Sequence, residues 1–184
     1  LSHPLPRILA TDPSYLSPLK LLARALAETG SVGPAVDIGA NVGDTAVMLA
    51  QSGLTHVICV EGNPVFLSFL NQNAGRAKAH HWDFTVIDRF LGDDSDRSAR
   101  VDTKGGTASI VRDGGSNRTG SIRFMSPIDL FANLDTVSIL KIDTDGMDLE
   151  ILSEAVSSLD GTVLDAVFTE FTPAVERVNN AFDL

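Results

Sequence analysis

Two acidic residues and two glycines in the first third of the chain have the types and spacing to hold a nucleotide-like ligand. In the segment VDIGANVGD at residues 36–44, a short apolar run ends at Gly39, and a helix-forming stretch follows Gly43. A glycine bend between a strand and a helix lets the backbone approach a ligand at the carboxyl end of a parallel sheet. Glu61 ends the next apolar run, where a carboxylate can accept both hydroxyls of a ribose. The bend and the acid together predict a site for a ribose-bearing cofactor.

The spacing within the bend discriminates between cofactors. Asp37-x-Gly39-x-x-x-Gly43 differs from the Gly-x-Gly-x-x-Gly pattern of dinucleotide sites, which must hold a pyrophosphate. An acid before the first glycine would repel that pyrophosphate, whereas a cofactor with a sulfonium cation and an amino-acid tail tolerates the acid. We therefore predict S-adenosylmethionine as the cofactor, with contacts from Asp37, Gly39, Asn41, Gly43 and Asp44. The alternative is that the polar residues cap loops and helix ends.

Other kinds of site find little support in the sequence. Neither the Gly-Lys-Ser/Thr of a phosphate loop nor a Gly-x-Ser-x-Gly nucleophile elbow occurs. The four histidines lack a metal-ligand spacing, and His80-His81 is typical of a partly exposed loop. The single cysteine, Cys59, lies within an apolar run and is interpreted as a buried free thiol in a reducing cytoplasm.

Strand-like and helix-like runs alternate along most of the chain. Apolar runs of strand length predict strands at residues 35–38, 56–60, 84–87, 137–142 and 166–169. Helical periodicity and capping residues predict helices at residues 14–28, 44–51, 63–75, 127–133 and 149–159. This order predicts an α/β fold of the class I, Rossmann-like type, with a mostly parallel sheet and helices on both faces.

The whole chain, residues 1–184, is predicted to form one domain. Residues 1–33 form a lead-in and a first helix, and residues 92–126 form a β-rich insertion in which a hairpin turns at Gly105-Gly106. Few residues follow the fifth predicted strand, so we expect the carboxyl-terminal edge of the sheet to be truncated. An open edge exposes pairing groups and would favour a homodimer.

Three blocks of this sequence resemble the FkbM-type methyltransferases. They are the bend at residues 36–44, VEGNP at 60–64, and LKIDTDG at 140–146 with LEIL at 149–152. The sequence departs from the family pattern in two places: Gly62 stands where the family usually has Pro, and Asp145 and Met147-Asp148 stand where it usually has Glu and an Ala-Glu pair. The resemblance implies methyl transfer to oxygen, commonly a hydroxyl of a sugar, a glycolipid or a polyketide.

The places of individual residues in the predicted elements suggest a role for each. Asp143, at the end of the fourth predicted strand, is expected beside the transferred methyl group as a base or as an acceptor-orienting residue. Lys141 shares its face of the strand and could pair with that carboxylate or stabilise a developing alkoxide. Asn63 is expected at the cofactor, and adenine is expected to contact either Asp88 or residues 91–93. Phe66 is interpreted as a core residue, with a cofactor contact as the alternative.

A metal ion is a further expectation at this end of the sheet. The carboxylates of Asp143, Asp145 and Glu170 could converge there on Mg²⁺, which prefers oxygen ligands and would lower the pKa of a bound hydroxyl. The alternative for Asp145 and Asp148 is that they cap the helix beginning near residue 147.

Composition narrows the expected partners. The formal charge of −10 disfavours nucleic acid as a substrate, and no apolar run is long enough to span a membrane. We therefore expect a small-molecule or glycan acceptor. Two alternatives remain: a module of the same fold that binds the cofactor without turnover, and a nucleotide-dependent oxidoreductase.

Overall fold

A five-stranded parallel sheet lies at the centre of the computed structural model, which describes residues 7, 10–12, 14–92, 99–104, 107–112, 123–144, 147–159 and 161–169. Across the sheet its strands are β3 (Asp83–Asp88), β2 (His56–Glu61), β1 (Ala35–Ile38), β9 (Ile139–Ile142) and β11 (Val167–Thr169). In order of their appearance along the chain this is 3-2-1-4-5, the order of a doubly wound nucleotide-binding sheet. The predicted Rossmann-like α/β class is confirmed.

Helices cover both faces of the sheet. One face packs against α1 (Ser17–Glu28), α2 (Asp44–Gln51) and α3 (Pro64–Ala77), and the other against α4 (Pro127–Phe131) and α5 (Asp148–Ser157). Residues of β1, β2 and β9 belong to both apolar clusters, so the middle of the sheet is buried on both sides. No helix in the described part of the chain combines the length and the apolar character that a membrane crossing requires.

Short strands outside the central sheet form three pairs within the described residues. The predicted hairpin is present, with β5 (Ala99–Lys104) antiparallel to β6 (Thr107–Arg112). The other two pairs are parallel: β4 (Phe90–Leu91) with β7 (Phe124–Met125), and β8 (Thr136–Val137) with β10 (Val163–Leu164). None of these strands extends an edge of the central sheet.

The prediction of one continuous strand at residues 137–142 is wrong, because the chain changes partners at Ser138. The Ser138 hydroxyl donates a hydrogen bond of 2.5 Å to the carbonyl of Gly33, and its backbone N–H donates one of 3.0 Å to the carbonyl of Pro34. The residues before Ser138 pair with β10, whereas those after it pair with β1 and β11. The segment is therefore two strands, β8 and β9.

Candidate functional site

A cleft lies at the carboxyl ends of β9, β1 and β2 and continues past the end of β3. Counted out to its open mouth, with the solvent-filled entrance included, it encloses about 530 Å³. The predicted site residues that line it include Gly39, Asn41, Glu61 and Asp143. The cleft thus brings the glycine bend, the expected ribose acid and the expected base to one place.

Glu61 is the most constrained side chain of the cleft. Its carboxylate accepts a hydrogen bond of 2.9 Å from the backbone N–H of Asn41 and another of 2.7 Å from that of Asn63. The residue is 7% exposed, and burial raises the pKa of Glu61 against the opposing effect of these two amides. Each oxygen still has lone pairs for a further donor, so the carboxylate is held ready to accept hydroxyl groups.

The bend at Gly39 requires glycine for two reasons. Its φ of 76° lies in the left-handed region, and a Cβ there would overlap the backbone oxygen of Asp143. The surrounding backbone is tied across the sheet, because Gly39 donates to the carbonyl of Val60 at 3.0 Å and Asp143 donates to that of Ile38 at 3.1 Å. The ends of β1, β2 and β9 are therefore held close together beneath the cleft.

A group of charged side chains, with Lys141 and Asp37 buried, lies next to the Gly39 bend. The ammonium of Lys141 is 3.0 Å from the carboxylate of Asp37 and 3.5 Å from that of Asp143, and it donates to the carbonyl of Gly39 at 3.3 Å. Burial alone would lower the pKa of Lys141, but the carboxylates of Asp37 and Asp143 outweigh it and raise the pKa. Lys141 is therefore a buried cation that links the bend to Asp143.

Asp37 and Lys141 lie outside the lining of the cleft. Both are almost completely buried. Apart from Lys141, no described group satisfies either oxygen of the Asp37 carboxylate. Asp37 is paired beneath the bend, and Lys141 contacts the Asp143 carboxylate as expected. Asp143 itself is accessible, with 39% of its side chain exposed.

Leu91, one of the expected adenine contacts, lines the cleft, whereas four other predicted cofactor contacts lie outside its lining. Gly43 is the N-terminal cap residue of α2, and Asp44 lies in the first turn of that helix. Asn63 caps α3 by accepting a hydrogen bond of 2.9 Å from the N–H of Val65. The carboxylate of Asp88 contacts the guanidinium of Arg123. Their contacts with a cofactor stay predictions.

Several residues of the cleft were missed by sequence reasoning. Arg89 and Phe90 follow β3 and line the cleft, as do Thr144 and Met147. The ring of Phe90 lies directly over Gly62, where a Cβ would overlap ring atoms. The sequence held one sign of this contact: position 62 is glycine instead of the family's usual proline. A glycine has no side chain and therefore leaves room for a neighbouring ring such as that of Phe90. Phe66 is 5% exposed and also lines the cleft, so both of its expected roles are compatible with its position.

A metal site cannot be assembled from the described residues alone. No three His, Cys, Asp or Glu side chains come together among them as a cation site. Of the three predicted ligands, Asp143 is described, whereas Asp145 and Glu170 lie outside the described residues. The metal expectation therefore stays a prediction.

The cleft fits an S-adenosyl cofactor on three observations. Gly39 lines the cleft without a side chain, Glu61 presents a fixed carboxylate, and Phe66, Phe90 and Met147 supply apolar walls. A mostly apolar lining with a few placed polar groups is the usual character of such sites.

Solved structures with a similar fold include three whose sequences are distant. The methyltransferase FkbM from Methylobacillus flagellatus KT has a TM-score of 0.45 at 18% identity, over 69% of this chain and 30% of that one. The precorrin-6y C5,15-methyltransferase from Geobacter metallireducens GS-15 has a TM-score of 0.45 at 13% identity, over 88% and 66%. The precorrin 8w decarboxylase from Methanobacterium thermoautotrophicum has a TM-score of 0.47 at 18% identity, again over 88% and 66%. This chain thus spans less than two thirds of the length of each.

The family relationship is shown by the sequence. No curated protein matches it. The family model for the methyltransferase FkbM domain, however, matches residues 37–183, which include the bend, Glu61 and Asp143. The methyl donor of such families is in general S-adenosylmethionine. The chain belongs to the FkbM methyltransferase domain family.

Proposed function

We propose that this chain binds S-adenosylmethionine in the cleft and methylates a hydroxyl group of a small-molecule or glycan acceptor. The observation that carries the proposal is the placement of Glu61 and Asp143 in one cleft, on either side of the Gly39 bend. Glu61 accepts the ribose hydroxyls, and the accessible carboxylate of Asp143 faces the incoming acceptor. The bound cofactor supplies an electrophilic methyl group.

The chain's own residues then have separate tasks. Asp143 accepts the proton of the acceptor hydroxyl at a carboxylate oxygen, which makes the oxygen a better nucleophile. Lys141 positions Asp143 from below, because its ammonium is fixed between that carboxylate and the carbonyl of Gly39. The apolar side chains of Met147 and Ile151 reduce the access of water to this end of the cleft.

The substitution Asp143→Asn tests this assignment. We expect the affinity for S-adenosylhomocysteine to stay within about twofold of the unmodified chain and methyl transfer to fall about a hundredfold or more, since general-base catalysis contributes about 10²–10⁴-fold. Isothermal calorimetry measures the first quantity, and transfer of a labelled methyl group to a panel of glycosides and polyketide-like alcohols measures the second. Full activity of the Asp143→Asn variant would remove Asp143 as the base.

Two further measurements test the magnesium expectation and the oxidoreductase alternative. Assays with and without EDTA test whether magnesium contributes, with loss of activity expected only if the ion is required. Calorimetry with NAD tests the oxidoreductase alternative. Micromolar affinity for NAD without affinity for S-adenosylmethionine would overturn the proposed function.

A further inference from the structure

Asn41, in the middle of the bend, has a backbone conformation that few residues other than glycine adopt. Its φ is 51°, in the left-handed region, where asparagine is tolerated better than most residues that carry a side chain. It belongs to a turn that closes with a hydrogen bond of 2.8 Å from the N–H of Gly43 to the carbonyl of Ala40. A residue in such a conformation persists only where its surroundings hold it, so contacts around Asn41 stabilise the turn.

The turn has a consequence in the cleft, because it directs the N–H of Asn41 to the carboxylate of Glu61. The hydrogen bond between them is 2.9 Å long and fixes one of the two carboxylate oxygens. Relaxation of Asn41 to a negative φ would rotate this N–H relative to the rest of the turn and away from the carboxylate. The orientation of Glu61, which the proposed function assigns to the ribose, therefore depends on the turn.

A side chain from α3 holds the backbone that follows Asn41. The amide of Asn73 lies outside the lining of the cleft and donates a hydrogen bond of 2.8 Å to the carbonyl of Val42. Val42 is buried, and a buried carbonyl that loses its donor carries a penalty. The helix also packs closely on the bend here, since a Cβ at Gly43 would lie 2.8 Å from the side chain of Leu70. The C-terminal side of the turn is thereby fixed to α3.

We propose that Asn73 is a positioning residue for the cofactor, which acts by keeping Asn41 in its left-handed conformation; the inference rests on the proposed binding of S-adenosylmethionine at Glu61. Glu61 accepts from the N–H of Asn41 on one side, and Asn73 donates to the carbonyl of Val42 on the other. With both contacts in place, the carboxylate meets the ribose without a rearrangement of the bend. Without Asn73, part of the binding free energy would go into restoring the turn.

The substitution Asn73→Leu tests the proposal, because it removes the donor, keeps a side chain of similar size and adds no charge. We expect calorimetry on the folded variant to show an affinity for S-adenosylhomocysteine about tenfold lower, as commonly follows when a buried acceptor loses its donor. The matched control is Asn71→Leu on the same helix, since the amide of Asn71 donates at 2.9 Å to the carbonyl of Leu67 within α3. The control should retain the affinity of the unmodified chain, and equal affinities of the two variants would contradict the proposal.

A second pair of variants covers the case in which Asn73→Leu does not fold. Asn73→Asp keeps the size and the polarity of the side chain but places an acceptor where the donor was. Its comparison with Asn71→Asp should give the same difference in affinity, and the same contradiction if the difference is absent.

A change of background separates this positioning role from a general effect on stability. Glycine adopts a positive φ without the steric cost of a side chain, so Asn41→Gly should make the turn independent of Asn73. In the Asn41→Gly chain we expect Asn73→Leu to lower the affinity by less than about threefold, against about tenfold in the unmodified chain. Equal losses in the two backgrounds would show that Asn73 does not act through the conformation of Asn41.

Amide hydrogen exchange tests the same contact without any ligand. In the ligand-free chain, Asn73→Leu should speed exchange of the Asn41 N–H about tenfold and leave that of Leu140 unchanged. The Leu140 N–H is a suitable reference because it donates at 2.9 Å to the carbonyl of Ala166, far from α3 in the sequence. Equal acceleration at both amides would mean a loss of global stability and would remove the positioning role.

The two measurements together distinguish a failure of this inference from a failure of the proposed function. If the unmodified chain binds S-adenosylhomocysteine and Asn73→Leu binds it equally well, the proposed function stands and the role of Asn73 is wrong. If the unmodified chain does not bind it while exchange at Asn41 still depends on Asn73, the proposed function fails, and with it the role at the cofactor, whereas Asn73 still holds the turn.

Discussion

Glu61 accepts hydrogen bonds from two backbone N–H groups and is proposed to accept others from the ribose of the cofactor. Its ionisation should therefore govern cofactor binding. Because burial raises the pKa of Glu61 above its ordinary value of 4.5, the carboxylate takes up a proton at a higher pH than an exposed glutamate would. A protonated carboxyl cannot accept two ribose hydroxyls as well as two backbone amides. We therefore expect the affinity for S-adenosylhomocysteine to be full at neutral pH and to fall on acidification, beginning above pH 4.5. Calorimetry over a range of pH measures this fall.

The matched variant for this prediction is Glu61→Gln, which keeps the size of the side chain and removes its charge. Its affinity should be at least about tenfold lower at neutral pH and independent of pH in the acidic range. The variant should also unfold more easily, because the amide cannot accept from both Asn41 and Asn63. An affinity that tracks pH equally in the variant would mean that another group controls binding.

The buried pair of Lys141 and Asp37 makes a second prediction at the residue scale. Lys141→Met leaves the Asp37 carboxylate buried without a cation, which costs about 3–5 kcal/mol of stability. The double variant Asp37→Asn/Lys141→Met should lose less than the sum of the two single changes, because it leaves no unpaired charge. Urea unfolding of the four chains gives this coupling. Additive losses would show that the two side chains do not interact.

The same pair determines the response of stability to alkali. Since the pKa of Lys141 is raised in the folded chain, its contribution is complete below the unfolded lysine value of about 10.4. The contribution is lost only as the pH rises through the higher folded value. Around neutral pH this lysine should therefore leave stability unchanged with pH. Lys141→Met should lower stability less on acidification than at neutral pH, because burial raises the pKa of the unpaired Asp37, which then takes up a proton.

At the scale of the elements, the turn after β2 depends on Gly62 because it leaves space for the ring of Phe90. Gly62→Ala should displace that ring and cost about 1–3 kcal/mol of stability, as overpacking commonly does. It should also change the affinity for S-adenosylhomocysteine, since Phe90 lines the cleft. Thermal unfolding and calorimetry measure the two effects.

The control for this substitution is Gly75→Ala in α3. Gly75 is exposed, and a Cβ there meets no atom within 4 Å. Replacing a helical glycine by alanine should raise stability by about 0.5–1 kcal/mol without affecting the cleft. Equal behaviour of the two variants would show that the turn after β2 tolerates a side chain.

The elements also show how far the sequence can predict this molecule. The apolar runs at β1 and β2 and the glycine bend between them reflect local rules, so the sheet class and the place of Glu61 follow directly. The division at Ser138 does not, because it depends on hydrogen bonds to Gly33 and Pro34 far away in the chain. Phe90 was missed for a similar reason, since its place in the cleft depends on an opening at Gly62.

At the scale of the whole molecule, the cleft connects parts of the chain that are distant in sequence. Its lining extends from Ile38 at the end of β1, through Phe90 after β3, to Ile151 on α5. A ligand in the cleft therefore contacts the central sheet and helices from both of its faces. Because the ligand contacts segments that come together only in the folded chain, its binding should stabilise the fold as a whole.

Ligand binding should accordingly raise the temperature at which the chain unfolds. At a concentration of S-adenosylhomocysteine about 100 times its dissociation constant, linkage adds about 2.7 kcal/mol of stability. For a domain of this size that corresponds to a rise of about 5–10 °C. NAD at the same concentration should produce no comparable rise, and Glu61→Gln should lose the shift given by S-adenosylhomocysteine. Scanning calorimetry also shows whether unfolding stays a single transition when the ligand is bound. A separate early transition that is insensitive to the ligand would mean that part of the cleft unfolds independently of the sheet, so that binding could not stabilise the molecule as one unit.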